Sequence, residues 1–374
     1  MMKEEHFWYW LCNIPGLGRK TINSLLDDYG SPENIYYEDD NVIIQYVKAT
    51  GNHFCNLIDY SHSKMEESII YSYGRLDEKK VTFIHPQSDS YPERLKVIPD
   101  APLGLYYKGK LPNEDECSIA IIGARNSTNY GREMARFFGR ELSKEGVTVI
   151  SGLARGIDGM AHRGAIEAGC YTLGVLGCGI DIVYPEDNYE LFIEMEKSGG
   201  IISESNIGIK PYAGLFPQRN RIISGLADAI LVIEATEKSG TFITVDQGLE
   251  QGKEIFALPG RLIDKTSRGC NNLIKMGAHF VTDVDDILEI LCGRLAESGT
   301  DNVRSKLMED EQLKNLLAPT EKIVYSVLSV EPKYIDDIIM ETRLSPGDVC
   351  MHINRLCVEG YIKEPARNYY SVKI

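Results

Sequence analysis

Ser118-Ile-Ala-Ile-Ile-Gly-Ala-Arg-Asn-Ser-Thr-Asn-Tyr-Gly-Arg132 decides how the rest of the chain is read. An apolar run from Ile119 ends at Gly123, and a helical pattern follows from Tyr130 to Glu145. This pairing predicts a buried parallel strand feeding a helix. The alternation then repeats outward, with strands expected at Val147–Ser151, Tyr171–Gly177, Gly200–Ser203, Ala229–Glu234 and Glu254–Leu258. Helices are expected between them at Gly156–Ala168, Glu186–Lys197, Asn220–Ala227 and Thr241–Gln251. Strands alternating with helices specify an α/β fold, a mostly parallel doubly wound sheet of Rossmann-like type covered on both faces.

Ligands of such sheets lie beyond the carboxyl ends of the strands. Here those ends read Gly123-Ala124-Arg125, Ser151-Gly152-Leu153-Ala154-Arg155-Gly156, Gly177-Cys178-Gly179 and Lys238-Ser239-Gly240-Thr241. Glycine permits close backbone approach, and free N–H groups at a helix start favour phosphate. A dinucleotide site would need G-x-G-x-x-G and an acid closing the second strand, and neither is present. The nearest string to a nucleotide P-loop, Gly18-Arg19-Lys20-Thr21, lacks the leading glycine spacing and a preceding strand. No cofactor is expected.

Phe216-Pro-Gln-Arg-Asn-Arg221 supplies the distinguishing chemistry. An aromatic ring beside Arg219, Asn220 and Arg221, on a loop entering a helix, offers a base a stacking partner and phosphates a charge partner. From Asn206 to Ala227 the cations are Lys210, Arg219 and Arg221, with no acid. The bland alternative is that Phe216 staples the following helix and the arginines are ordinary surface or ion-pair residues.

Residues 83–292 resemble the DNA-processing protein A family of bacteria, DprA or Smf. The likeness runs through Gly-Ala-Arg at 123–125, Ser-Gly-Leu-Ala-Arg-Gly-Ile-Asp at 151–158 and Ala-His-Arg-Gly-Ala at 161–165. It continues through Gly-Cys-Gly-Ile-Asp-Ile-Val-Tyr-Pro at 177–185, Phe-Pro-Gln-Arg-Asn-Arg-Ile-Ile-Ser-Gly-Leu at 216–226 and Ser-Gly-Thr at 239–241. Ala-Leu-Pro-Gly at 257–260 and Gly-Cys-Asn-Asn-Leu-Ile at 269–274 complete it. The resemblance implies an extended Rossmann-like core and a homodimer. It further implies a single-stranded-DNA-binding protein that protects incoming strands and loads the RecA recombinase in natural transformation, with no chemical reaction of its own. Carried over, the DNA pocket uses Arg125, Phe216, Arg219 and Arg221, with Lys238, Ser239 and Gly240. The turn reading adds Gly152, Arg155, Asn220 and Thr241. Ala124 replaces a serine common in the family's first turn, and Asn206 a frequent proline.

The formal charge of −15 opposes a nucleic-acid partner at first sight. The cations nevertheless gather where acids are missing: residues 117–132 hold Arg125 and Arg132 and no acid. Nine cysteines without a C-x-x-C pair fit reduced thiols rather than a disulfide frame or metal site. With no membrane-spanning apolar run and no signal-peptide pattern, a cytoplasmic protein without membrane contact is expected.

Three domains and a linker are expected. Residues 1–75 read as a helical, sterile-alpha-motif-like segment. In it, Asn13-Ile-Pro-Gly-Leu-Gly-Arg-Lys20 resembles a helix-hairpin-helix turn, or is a plain helix connection. Residues 81–292 form the extended core, its first part proline-punctuated strands that lengthen the sheet. Residues 293–318 are a polar linker, and 319–374 three helices and a hairpin, a winged helix. From Thr320 to Ile374 seven Lys and Arg face eight Asp and Glu, a net of −1, so protein contact suits it as well as duplex binding.

Asp158 and His162, four apart on one helix, could form a carboxylate–imidazole pair, or a merely structural one. Asp181, Tyr184 and Glu234 near strand ends are equally explained by folding turns. An enzyme alternative is a phosphoribohydrolase-like nucleotide-processing protein. Its Gly-x-Gly-Thr-x-x-Glu turn would need a carboxylate where this chain has Thr244.

Overall fold

A computed structural model describes residues 2–51, 57–297, 319–328, 332–358 and 361–372. The chain divides into two compact units, Met1–Gly293 and Arg294–Ile374.

The first unit opens with six helices: α1 (Glu4–Cys12), α2 (Arg19–Tyr29), α3 (Pro32–Tyr37), α4 (Asp40–Ala49), α5 (Leu57–Ser63) and α6 (Glu66–Glu78). Phe7 to Leu11 of α1 are all buried, as a helix apolar on every side must be. Trp8 and Trp10 share a hydrophobic cluster with Leu153 and Leu176 of the sheet region, and the Trp8 ring stacks on His85 at 5.0 Å. The helical segment is thus fastened to the core by apolar packing.

Nine strands follow: β1 (Thr82–Ile84), β2 (Leu105–Gly109), β3 (Ser118–Ile122), β4 (Thr148–Ser151), β5 (Thr172–Leu176), β6 (Gly200–Ser203), β7 (Ala229–Val232), β8 (Glu254–Ala257) and β9 (His279–Phe280). They lie in the order β1-β2-β6-β5-β4-β3-β7-β8-β9. From β6 to β9 every pairing is parallel, and β1 and β2 extend the sheet antiparallel beyond β6. Every residue of β3, β4 and β5 is buried, which is why these strands read as unbroken apolar runs.

The intervening helices are α7 (Glu93–Lys96), α8 (Asn129–Lys144), α9 (Ile157–Glu167), α10 (Tyr189–Ser198), α11 (Leu215–Leu226), α12 (Thr241–Glu250), α13 (Arg268–Lys275) and α14 (Asp285–Glu297). α8 and α9 bury Phe138, Leu142, Ile157 and Ala161 in one cluster, while residues of α11 and α12 such as Ile222, Leu226 and Val245 join another. The chain leaves β3 toward β4 on one side and returns to pair β7 on the other. The crevice at the carboxyl ends of β3 and β7 is therefore the topological switch point. Among the described residues no helix is long and apolar enough to cross a membrane.

α11 begins at Leu215, five residues before the expected helix start at Asn220. Pro217 reads in sequence as a loop residue, but it lies in the first turn, where its missing N–H costs no intrahelical hydrogen bond. Phe216 to Arg221 therefore sit on a helix and not on a loop entering one.

The second unit carries helices Pro319–Ser326, Ile335–Thr342 and Pro346–Val358 and three strands, Lys333–Tyr334, Ile362–Ala366 and Tyr369–Val372. The last strand is central in the antiparallel sheet, and Val324, Ile338, Val349, Ile353 and Leu356 form the core. This is the element order of a winged helix. Arg355, on its third helix, lies 3.0 Å from buried Glu321. Of the expected linker, residues 298–318 lie outside the described residues.

Candidate nucleic-acid interface

Helical spacing carries Phe216, Arg219 and Asn220 of α11 to one rim of the sheet. The Arg219 Nη1 donates to the Gly152 carbonyl oxygen at 2.6 Å and to the Val175 carbonyl oxygen. Phe216 lies over Gly177, and the Arg125 guanidinium lies over the Phe216 ring, 4.7 Å from its centroid. Such a cation–ring contact contributes about 0.5–1 kcal/mol in an exposed setting.

The strand-end glycines make this arrangement possible, and their reason differs from the expected one. A Cβ at Gly152 would stand 2.3 Å from Arg219 Nη1, and one at Gly177 would stand 2.9 Å from Phe216 Cδ1. One at Gly123 would meet Ile157 at 2.6 Å and the Glu234 carbonyl at 2.9 Å. These turns make room for the protein's own side chains. Of the turns named, only Gly240 has open space where its side chain would be.

Two adjoining cavities result, of about 400 Å³ and about 780 Å³, sharing Arg125, Tyr184, Phe216 and Arg219 in their walls. The smaller also receives Gly152 and Arg155; the larger receives Asn220, Ser239, Gly240 and Thr241. Further aromatic surface lines the trough beside Phe216. The Tyr184 ring is 5.7 Å from it, and the half-exposed Tyr212 lines the larger cavity. Sequence reading discounted Tyr184 and missed Tyr212, although its position four residues before Phe216, in the acid-free stretch, was a usable signal.

The helix starts around the trough differ in what they can accept. At α8 the Thr128 side chain accepts from Gly131 N, and the Glu234 carboxylate accepts from Thr128 N at 2.9 Å and from Thr128 Oγ1 at 2.6 Å. The first turn, expected to hold a phosphate, is thus occupied by an internal anion. At α9 the Asp158 carboxylate accepts from Gly152 N at 3.2 Å. At α12 no acid stands in the first turn, and Ser239 Oγ accepts from Thr241 N at 3.2 Å. Its start lines the larger cavity free of an internal acid, though its donors are already engaged: the Phe242 and Ile243 N–H groups donate to the Ser239 and Gly240 carbonyl oxygens at 3.2 Å.

Burial pulls the Arg219 pKa down to about 10, against the attraction of Asp158, so it stays charged at neutral pH. Burial raises the Asp158 carboxyl, opposed by Arg219 and Arg125. His162 hydrogen-bonds Thr172 Oγ1 through Nδ1 at 2.7 Å and is held neutral, its pKa pushed down by burial to about 3. No hydrogen bond between Asp158 and His162 is present; one faces the trough and the other the interior. Arg155 pairs with Asp187 at 2.5 Å, both well exposed, so the trough is not free of acids as its sequence neighbourhood suggested. Arg125 forms no salt bridge among the described residues.

Two expected contributors stand apart. Arg221 is buried, donating from Nη2 to both oxygens of Glu204 at 2.7 and 2.8 Å, and lines neither cavity. Its place five residues after Phe216, on a helix rather than a loop, turns it inward. Lys238 is exposed but outside both cavity walls.

Residues 82–292 match the profile of the family described as DNA recombination-mediator protein A. Protein Smf of Synechocystis is 30% identical across 98% of this chain and 98% of its own length. The solved structure of DNA processing protein A from Streptococcus pneumoniae superposes with a TM-score of 0.66 at 31% identity, covering 77% of this chain and 98% of that one. That of DNA processing protein A from Helicobacter pylori, described as giving insight into a unique single-stranded-DNA binding mode, gives 0.53 at 28% identity over 57% and 97%.

Proposed function

The chain belongs to the DNA recombination-mediator protein A family, DprA or Smf, and on that premise we propose that its trough holds single-stranded DNA for processing without cutting or altering it. The observation that carries the reading is Arg125 stacked on Phe216 beside Arg219, in a cavity that also meets the acid-free start of α12. Bases stack on the Phe216, Tyr184 and Tyr212 rings, each engaged base contributing about 1–3 kcal/mol in a sequence-tolerant way. Backbone phosphates meet Arg125, Arg155, Arg219, Asn220, and the Ser239, Gly240 and Thr241 turn. Lys238 adds a peripheral charge, Gly152 seats Arg219, and Arg221 supports the fold through Glu204. The net charge of −15 lies elsewhere and helps confine a polyanion to this rim.

The binding reading is preferred to nucleotide hydrolysis because the position a catalytic carboxylate would need is Thr244, which is buried. Incubation with nucleoside monophosphates should release no free base. Binding is tested by titrating single-stranded and duplex oligonucleotides at two ionic strengths with the wild type and Arg125→Ala. Single strands should bind more tightly. Log affinity should fall against log salt with a slope of about −0.7 per phosphate contact, and Arg125→Ala should weaken binding and flatten that slope. Equal slopes in both proteins would remove Arg125 from the path.

In the cell the protein works in the cytoplasm as a homodimer that passes protected strands to RecA during natural transformation. The sheet's free edge at β9, with exposed Phe280 and Met276, supports a face for the second copy. Loading is measured as RecA ATPase activity on single strands coated with single-strand-binding protein, which should rise with added wild type and less with Arg125→Ala.

A further inference from the structure

The hairpin-like turn near the amino terminus is not used by the trough, yet it borders it. Leu17 N donates to the Ile14 carbonyl at 3.2 Å, closing a turn with Pro15 second and Gly16 third at a φ of +76°. This is a type II turn, for which that residue order is suited. It delivers the chain to Gly18, where α2 begins with no side-chain cap and no acid in its first turn. Arg19 and Lys20 follow at once, and Gly18 faces open space.

Independently of that helix start, a cavity of about 550 Å³ lies between this turn and the sheet. Its walls include Gly18, Arg19 and Lys20 on one side and Gln218 and Arg219 on the other. Leu176, Gly177 and Arg219 line both this cavity and the smaller cavity of the trough, so the two spaces meet at Arg219.

The charge around it is unbalanced. Glu204 in the wall is the shared partner of Arg221, at 2.7 Å, and Arg19, at 3.9 Å. Behind it Arg221, 5% exposed, keeps Nε and Nη1 buried without a hydrogen-bond partner among the described residues. Asp100 takes part of the Arg19 charge at 2.8 Å. Lys20 is exposed and forms no salt bridge among the described residues. Cations thus exceed carboxylates beside a space that opens from the proposed strand path.

We propose that a single strand held in the trough runs on past Gly177 and Arg219 into this second cavity, where Arg19, Lys20 and the start of α2 take its further backbone phosphates. The helical segment is then part of the strand path and lengthens the occluded site. This inference rests on the single-strand reading above.

The full chain is titrated with oligothymidylates of about 5 nucleotides, near the lower end of a single-strand site of about 4–16, and of about 16, its upper end. Lys20→Ala removes an exposed, unpaired cation, so folding is not at stake. On the longer strand it should bind about fivefold more weakly at about 0.1 M salt, with a slope smaller by about 0.7, the effect of one lost phosphate contact. On the shorter strand it should match the wild type. Arg125→Ala should weaken both. Lys20→Ala indistinguishable from wild type on the longer strand, or equally weak on both lengths, overturns the extension while the Arg125→Ala result keeps the trough. A wild type that binds neither length overturns both.

Discussion

Replacing Gly152 with alanine tests whether the strand-end glycine exists to seat Arg219. The added Cβ would stand 2.3 Å from Nη1 and 2.6 Å from both Cζ and Nη2 of a guanidinium that is buried and pinned to two carbonyls. Gly152 does not have a positive φ, so alanine is not excluded by its backbone conformation. The guanidinium must leave the Gly152 and Val175 oxygens. Charge-assisted hydrogen bonds contribute about 1.5–3 kcal/mol each, and recovered hydration offsets part of the loss, so the net cost should be about 2 kcal/mol. In an Arg219→Ala background the space is vacant, and Gly152→Ala should be neutral or stabilising by about 0.5 kcal/mol. The coupling expected from the double-mutant cycle is therefore about 2 kcal/mol. Urea unfolding followed by tryptophan fluorescence reads it well. The only tryptophans, Trp8 and Trp10, share a hydrophobic cluster with Leu153 and Leu176 beside the substituted turn. Equal costs of Gly152→Ala in both backgrounds would refute the seating argument and return the glycine to a backbone role.

Arg221→Ala should lower stability by about 2–3 kcal/mol, below the 3–5 kcal/mol of a fully buried pair because Glu204 remains 30% exposed; the urea midpoint checks this, and a loss of DNA affinity with unchanged stability would contradict it. For His162, the unfolded imidazole takes up a proton below its usual 6.5 while the buried one resists until about pH 3. The unfolded state thus binds more protons in that window, and stability falls as pH falls, by at most about 1.4 kcal/mol per pH unit from this group. His162→Gln should flatten the stability–pH curve between those values, measured by urea midpoints at each pH. Phe280→Lys combined with Met276→Lys should convert a dimer to monomer in sedimentation velocity with single-strand binding by the trough retained; an unaltered sedimentation coefficient would move the interface elsewhere.

The β/α alternation was legible because β3, β4 and β5 are buried on both faces and so are written as continuous apolar runs. Arg125, read at a strand end, and Phe216 and Arg219, read on a loop entering a helix, do come together on one rim. What misled was context. Pro217 reads as a loop signal, yet the first turn of a helix tolerates it, and that shift changes which side chains share a face. Arg221 could not be separated from Arg219 by composition, since its inward direction depends on Glu204 across the fold. The strand-end glycines at Gly152 and Gly177 have a different reason from the one read in sequence: they clear space for Arg219 and Phe216, a fact set by tertiary contact.

Glu234 has a consequence for selectivity. In this architecture the opening of the first helix is where free nucleotides elsewhere anchor their phosphates. Here a neighbouring strand has already lodged a fixed negative group against Thr128, so a soluble monomer arriving there meets repulsion in place of bare N–H donors. A free nucleotide would thus find that berth filled, and the proposed strand path would keep the rest of the rim to itself.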